Sequence, residues 1–598
     1  MDGVPNLQDR APNGQDGNLT PLGKMGEGKK QAIRFVVLLS TVLAAVVLPQ
    51  RLIPSKEPPT SGTLPPLSHQ ELSLPPIATA WYVPDYPALD ATREDVVHTF
   101  RLCETELQGL GGLVHGLVPA REYGIIFVRD TSTMIPTLQY FYGDDYLRTP
   151  IEELLRRQYG VDTQSADGDI PGGGAISAVI VPDGHIDKAT TVSDEETHLI
   201  HAAHQYYRIA GGIGWLQKEL AGETVVSRLN RALDWLYTRR FDSTHQLIMR
   251  GHTTDWGDVR FESSVSATDL DFDTDHWTFS IYDQALTYRA LLELAEMNEA
   301  VGDRPRASDL RLRAERLRRS TNEKLWNSQR GFYLVHKHLT PLAHDFPEEE
   351  MISISNALAA NVGLSDPGRS QRIFSNLERA RLSAGSRKPG LSLYPPYPEG
   401  FFAHVQMSPG EYQNGGQWDW WGGMQITAEF ESGHSGLALA HLRMVAQDWA
   451  LHPGQIFEWQ MPSTAKGWGS DNYASAAATV AEAIVRGLFG VTIERDEVSV
   501  QPRLRKHDGQ IRVLQPASGM YVSYDYKYHS DFMVLDYGSN HPRSLEVSLL
   551  LPLGKETEEV SIDGAPISHR LETILHDSYC VFRAPSGVHR AILSFKSQ

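Results

Sequence analysis

The sequence predicts a mainly α chain with a β-rich tail: a helical toroid or solenoid over about residues 128–490, then a β-sandwich over 491–598. Three observations carry this expectation. About ten to twelve segments between Asp130 and Gly490 repeat apolar residues at helical spacing and are rich in good helix formers. Gly, Pro or Asp punctuates them into antiparallel pairs, with no alternating strand signal between. At about Phe489 the texture changes to short β-branched and aromatic runs separated by turns.

Taken in order, a first helix is expected to start near Ser132, followed by Ile151–Gln158, Glu195–Ile209, Val225–Arg240, Tyr282–Val301 and Ala307–Leu325. Shorter helices are expected at Ser353–Ala360, Arg369–Leu382, Trp421–Glu431, Gly436–Ala450 and Tyr473–Leu488. That number exceeds a four-helix bundle. The lack of a fixed-period repeat argues against an open solenoid. In the tail, Val498–Gln501, Gln510–Val513, Gly519–Asp525, Phe532–Tyr537, Leu545–Leu551 and His589–Phe595 read as strands. A second β-rich, mixed segment is expected over 78–127, with a helical stretch at Val97–Leu107.

The amino end is segmented. Residues 1–31, rich in Gly, Asn, Asp and Pro, read as a disordered cytoplasmic tail. Residues 32–53 read as a signal-anchor: Lys24, Lys29, Lys30 and Arg34 lie on the amino side of an apolar run, and no small-x-small cleavage site follows it. The catalytic part would then be extracytoplasmic; secretion after signal cleavage is the alternative. Residues 54–77, rich in Pro and Ser, read as a stalk.

Composition narrows the partners. A formal net charge of −19 argues against nucleic acid, whose phosphates need a basic surface. Neutral glycans stay compatible. Two cysteines, Cys103 and Cys580, supply neither a disulfide framework nor a thiolate metal site.

Two stretches concentrate the chemistry: Gly251-His252-Thr253-Thr254-Asp255-Trp256-Gly257-Asp258, and Tyr412-Gln413-Asn414-Gly415-Gly416-Gln417-Trp418-Asp419-Trp420-Trp421. Both set carboxylates beside indoles and glycines. Sugar sites use indoles to stack on a pyranose, amides and carboxylates to read its hydroxyls, and paired carboxyls to move protons. Trp256, Tyr412, Trp418, Trp420 and Trp421 are candidate platforms; Asn414, Gln417, Asp419, Arg129, Asp130 and Asp194 are candidates for hydroxyl contacts. The competing readings are that the indoles are core anchors and that Arg129 and Asp130 form a structural ion pair.

Several pieces, in this order, resemble the six-hairpin, (α/α)6-barrel glycosidases, and most of all the group of amylo-α-1,6-glucosidases, trehalases and processing α-glucosidases. They are Val128-Arg129-Asp130-Thr131 with Met134-Ile135-Pro136; Ser193-Asp194 ahead of a helix ending in His204-Gln205-Tyr206-Tyr207; and Trp256-Gly257-Asp258 before Ile281-Tyr282-Asp283-Gln284-Ala285-Leu286. Tyr412-Gln413-Asn414-Gly415 with Trp418 follows, then Gln455-Ile456-Phe457-Glu458-Trp459 before Gly469-Ser470-Asp471-Asn472-Tyr473-Ala474. The resemblance implies an inverting glycoside hydrolase with α-glucosides as the leading substrates. It makes Asp258 the general acid, with Asp255 as the alternative, and Glu458 the general base. Departures from the pattern are the second Asp of the acid loop, Asp419 where many relatives carry Pro, and Glu195 and Glu196 beside Asp194.

Other signals are weaker. Asp269, Asp271, Asp273 and Asp275 alternate like a calcium loop but lack the sixth-position Gly and the twelfth-position Glu, so a solvated acidic loop is expected. The 23 His residues show no His-Glu-x-x-His spacing, and no phosphate-cradling glycine loop occurs. No metal and no cofactor are expected. The partners expected are an oligosaccharide or glycan substrate and, through the anchor, a membrane. Two rivals remain: a phosphorylase on the same barrel, for which segment 455–472 offers only Lys466, and a catalytically inactive, membrane-tethered glycan-binding protein.

Overall fold

Twelve helices form two concentric layers in the computed structural model, which describes residues 66–160, 173–182, 192–259, 276–341, 346–402, 404–464 and 466–596. They are α1 (Pro87–Cys103), α2 (Val128–Leu138), α3 (Asp144–Arg156), α4 (Glu195–Tyr206), α5 (Val225–Arg239) and α6 (Ile281–Ala300). α7 (Arg304–Lys324), α8 (Ser355–Asn361), α9 (Pro367–Ser383), α10 (Asp419–Glu431), α11 (Ser435–Trp449) and α12 (Ala474–Glu482) follow.

The even-numbered helices α2, α4, α6, α8, α10 and α12 pack each on the next, and α12 returns to α2. That closes a ring. These six are buried on nearly all sides, whereas α7 and α9 bury one stripe only. The local chemistry that starts the outer helices is visible in sequence. Asp303 and Asp366 cap α7 and α9 by accepting from Arg306 and Arg369 backbone N–H groups at 3.0 and 2.9 Å, each with Pro in the first turn. Inside the ring, Gly423 of α10 lies against the Thr479 backbone of α12, where any Cβ would collide.

The β-rich reading of 78–127 needs correction. Its largest element is α1, seventeen residues long, which packs on α12 and α11 and supplies the last outer helix of the ring. Of the helical stretch expected at Val97–Leu107, Val97–Cys103 is the carboxyl end of α1, whereas Glu104–Leu107 is strand, in the hairpin of Glu104–Gly109 and Gly112–Leu117. Ala80–Tyr82 leaves this segment altogether and pairs antiparallel with Gln510–Arg512.

The C-terminal region is sheet-rich. A seven-stranded sheet runs in the order Ala80–Tyr82, Gly509–Gln515, Met520–Tyr528, Phe532–Ser539, Gly587–Phe595, Thr557–Ile562, Ala565–Pro566. A five-stranded sheet runs Val491–Ile493, Val498–Val500, Leu545–Leu550, Asp577–Ala584, Arg570–Ile574. Strict alternation of buried and part-exposed residues along Gly509–Gln515 shows one face turned to the core. The inward residues of both sheets join the same apolar core as the helices. Cys103 and Cys580 are separate buried thiols.

No helix among the described residues is long and apolar enough to cross a membrane. The tail, the anchor expected over 32–53, most of the stalk and the acidic loop of Asp269, Asp271, Asp273 and Asp275 lie outside the described residues.

Candidate active site

The loops that enter the inner helices carry the sequence-predicted residues to one end of the ring. Asp130 sits in the first turn of α2, Asp194 immediately precedes α4, the 251–258 loop leads toward α6, and 412–418 leads into α10. Segment 455–473 enters α12. Helix amino ends carry partial positive charge, so acids gathered there are favoured.

Asp258 is half-buried, and Gln413 holds it at two points. Gln413 Nε2 donates to Oδ1 at 2.7 Å, and the Asp258 backbone N–H donates to Gln413 Oε1 at 3.3 Å. Gly257 leaves room for this grip, because a Cβ there would strike Gln413 Oε1 and Thr254. Arg250, fully buried and paired with Asp283 at 3.2 Å, also donates to the Gly257 carbonyl and fixes the loop from below.

Asp255 lies differently. It is wholly buried, with φ at +68°, and its Oδ1 accepts from the Tyr282 backbone N–H at the start of α6 at 3.3 Å. Burial pushes its carboxyl pKa up, while the hydroxyls of Ser353, Ser355 and Ser280 and the Arg250 charge oppose this. It anchors a helix start.

Glu458 is buried, with Tyr123 Oη donating to both carboxylate oxygens at 3.1 and 3.0 Å and the Ser470 N–H donating to Oε2 at 3.3 Å. Gly469, at φ +69°, is required here, since a Cβ would meet the Glu458 carboxylate. Burial raises the pKa to about 7, with the charges of Asp130 and Asp258 adding to it and the Ser470 and Tyr123 hydrogen bonds opposing it. Asp258 and Glu458 therefore act on one another electrostatically, and both act on the Tyr412 phenol. Tyr412 packs on Trp418 and Trp459, at ring separations of 5.3 and 6.2 Å.

Arg129 pairs with Asp194 rather than with its neighbour Asp130, its Nε and Nη2 lying 3.0 and 2.9 Å from Asp194 Oδ2. Although burial opposes it, the Arg129 charge and His198 hold Asp194 well below the usual carboxylate range. Tyr282 Oη donates to the same oxygen at 3.0 Å. Asp130 accepts from Ser475 and Tyr473 hydroxyls at 2.6 and 3.2 Å, and burial pushes its pKa up.

Much of the tryptophan-rich motif packs into the scaffold. Trp256, Trp418, Trp420 and Trp421 retain only 1–3% exposure, and Trp256 meets the other three at ring separations of 5.1, 5.4 and 5.5 Å. Trp420 and Trp421 face an inner cavity of about 200 Å³ that they share with His198, Arg289 and Glu293. Asp419 accepts from Lys388 Nζ at 2.7 Å and Trp449 Nε1 at 2.8 Å, with Asp448 on the same Lys388 at 2.6 Å. Asn414 pins the Tyr397 backbone N–H and carbonyl at 2.8 and 3.1 Å. Gln417 bonds Ser386 and the Pro389 carbonyl. These amides, and one oxygen of the Asp419 carboxylate, are engaged by the surrounding scaffold.

Sequence reading passed over Tyr123 and the partner role of Gln413. Tyr123 stands 335 positions before Glu458 and carries no motif. Gln413 sat within a quoted motif, so its amide next to the catalytic-type loop was the available signal.

The profile of the family described as mannosylglycerate hydrolase MGH1-like glycoside hydrolase domain matches residues 141–474, more than half of the chain. No curated protein matches. Among solved structures, the chain is similar to the GH78 family rhamnosidase of Bacillus sp. GL1, at 16% identity over 82% of this chain and 43% of that chain, with a TM-score of 0.56. It is similar to the α-L-rhamnosidase from Dictyoglumus thermophilum at 12% identity, over 86% and 50% of the two chains, with a TM-score of 0.56. The GH63 mannosylglycerate hydrolase from Thermus thermophilus aligns at 17% identity over 65% of this chain and 99% of that chain, with a TM-score of 0.44. The chain thus spans half or less of the rhamnosidases it matches, and at these identities the likeness is one of fold. A closed ring of six inner and six outer helices, with acids gathered where the inner helices begin, agrees with the profile: the chain is a six-hairpin (α/α)6 glycoside hydrolase and belongs to the MGH1-like family.

Proposed function

We propose that the protein hydrolyses short α-glycosides with inversion, Asp258 serving as general acid and Glu458 as general base. The observation that carries this reading is the pairing itself. Across two hundred positions of sequence, the Asp258 charge acts on Glu458, and both carboxyls act on the Tyr412 phenol. Asp258 is half-buried and loop-borne, whereas Asp255 is walled into the core, which favours Asp258 for contact with substrate.

The protonated Asp258 gives its proton to the glycosidic oxygen as the bond to the anomeric carbon breaks. Glu458 takes a proton from a water whose oxygen bonds to that carbon from the opposite face. The sugar leaves with inverted configuration, and exchange with solvent reprotonates Asp258 and carries the captured proton away from Glu458. A base poised near pH 7 is strong enough for this step while still ionised in a useful fraction of molecules. Arg129, pinned by Asp194 beside Asp258, and Asp130 are placed to meet sugar hydroxyls.

α-Glucosides are the leading class, and the family's description adds mannosylglycerate to the panel. Reducing-sugar release from such a panel, with and without inorganic phosphate, and the anomer first seen by proton NMR test the proposal. Phosphate-dependent turnover would make the protein a phosphorylase. Tight glycan binding without turnover would make it a binding protein. Full activity in both Asp258→Asn and Glu458→Gln would remove the assignment. We further propose that residues 32–53 anchor the chain with the ring extracytoplasmic; protection of the ring from external protease in intact cells would rule this out.

A further inference from the structure

Beside the acid loop, three imidazoles converge on one carboxylate. His252, His336, His338 and Glu348 each offer a ligand-type atom, all within 4.8 Å of one another. They come from three separate segments. His252 belongs to the acid loop, His336 and His338 share the strand His336–His338, and Glu348 lies in the turn that follows. Two positions apart on a strand, His336 and His338 project from the same face. His252 Nε2 lies 3.0 Å from Glu348 Oε1, and His338 Nε2 lies 2.5 Å from Oε2. Tyr397 Oη donates to Glu348 Oε1 at 2.6 Å and fixes the carboxylate.

We propose that His252 Nε2, His338 Nε2 and the Glu348 carboxylate bind one divalent transition ion of the Zn²⁺ class, which braces the acid loop against the strand His336–His338 and the turn Glu348–Glu350. Two imidazoles and a carboxylate are a ligand set that Zn²⁺ accepts, and tetrahedral ligation at ordinary bond lengths places donor atoms about 3.3 Å apart. The observed His–Glu separations, 3.0 and 2.5 Å, are shorter than this, so the donor atoms need only move apart by less than about 1 Å to admit the ion. To ligate, each neutral imidazole presents its Nε2 lone pair to the ion and carries its single ring proton on Nδ1, the proton leaving Nε2 for Nδ1 by exchange with solvent. The His338 side chain is 26% exposed, which gives an entry route from solvent.

His336 has a different place in the arrangement. Its Nε2 accepts from the Asp255 backbone N–H at 3.2 Å, so its proton is on Nδ1, which faces Glu348 Oε2 at 3.5 Å. It links the carboxylate ligand to the acid loop from outside the ligand set, the usual station of a group that orients a ligand. The proposal does not depend on which sugar is cleaved or on which carboxyl is the acid.

The test is direct metal binding to the untagged full-length protein, stripped with a chelator and titrated with Zn²⁺ against a chromophoric competitor. The expected result is one Zn²⁺ per chain with a Kd below about 1 μM, and affinity reduced about a hundredfold or more in His338→Gln. His507→Gln, outside the cluster, is expected to bind like the parent. A melting-temperature rise on adding Zn²⁺ to the stripped parent protein provides a second readout that needs no variant to fold. No saturable Zn²⁺ binding to the parent, or equal affinity in His338→Gln, would overturn the proposal and leave the cluster a hydrogen-bonded carboxylate.

Discussion

Gln413 and Asp258 exchange two hydrogen bonds across 155 positions of sequence, amide to carboxylate at 2.7 Å and backbone to amide at 3.3 Å. The amide sets the direction of the carboxyl without donating charge. Gln413→Ala is therefore expected to leave the fold intact and lower kcat by roughly tenfold to a hundredfold, the usual consequence of a displaced reacting group. Steady-state kinetics with an unchanged melting temperature would bear this out, and an unaltered kcat would show that the grip is dispensable.

Glu458 gives a pH dependence with a definite sign. Its pKa is about 7 when folded, above the ordinary value, so the native chain retains a proton that the unfolded chain has already released. Stability from this group is present at low pH and is lost as pH climbs from about 4.5 to 7, by up to about 3 kcal/mol. Glu458→Gln has no such loss. Urea denaturation at pH 5 and pH 8 is expected to show the variant gaining on the parent protein at the higher pH. A constant difference between the two would contradict the raised pKa.

Tyr123 donates to both oxygens of that carboxylate and favours its charged form. In Tyr123→Phe the acidic limb of the kcat/KM–pH profile is expected to move to higher pH, because the base loses a donor. A limb that stays in place, with only the maximum lowered, would assign Tyr123 to substrate contact instead.

Lys388 neutralises Asp419 and Asp448 in a site where all three side chains are nearly inaccessible. Lys388→Met leaves Asp419 without its cation and Asp448 with only Arg387 at 3.9 Å, and is expected to cost about 3–5 kcal/mol of stability. Replacing Asp419 alone by Asn is expected to cost less, since Lys388 keeps Asp448. Thermal denaturation of the two variants separates these outcomes.

The ring was legible because inner and outer helices differ in kind. α7 and α9 announce themselves with Asp-Pro or Asp-x-Pro starts and a single apolar stripe, and α6 and α10 with apolar residues spread over the whole helix surface. α1 was not legible as a member. It lies ahead of the first motif, and only its contacts with α11 and α12 reveal its place. In the tail, Asp577–Ala584 and Arg570–Ile574 lack clean alternation, the latter being exposed throughout, so period-two reading passed them by. At the site, acid type and loop order pointed to Asp258 and Glu458. Sequence could not tell a tryptophan that meets sugar from one that packs on three others, because the same residue types serve both. The His252–His338–Glu348 convergence was equally hidden, its members being 96 and 10 positions apart.

The strand Ala80–Tyr82 borrows its only backbone neighbour in the seven-stranded sheet from residues 510–512. During synthesis that partner emerges about 430 residues later, which at ribosomal speed is a wait of roughly 20 to 90 s. Until then the amino-terminal strand has an open edge and α1 has no α12 to lie on. The barrel is consequently sealed from its two ends at once, and a chain shortened to begin at 128 would surrender a wall of the ring together with the rim of the sheet.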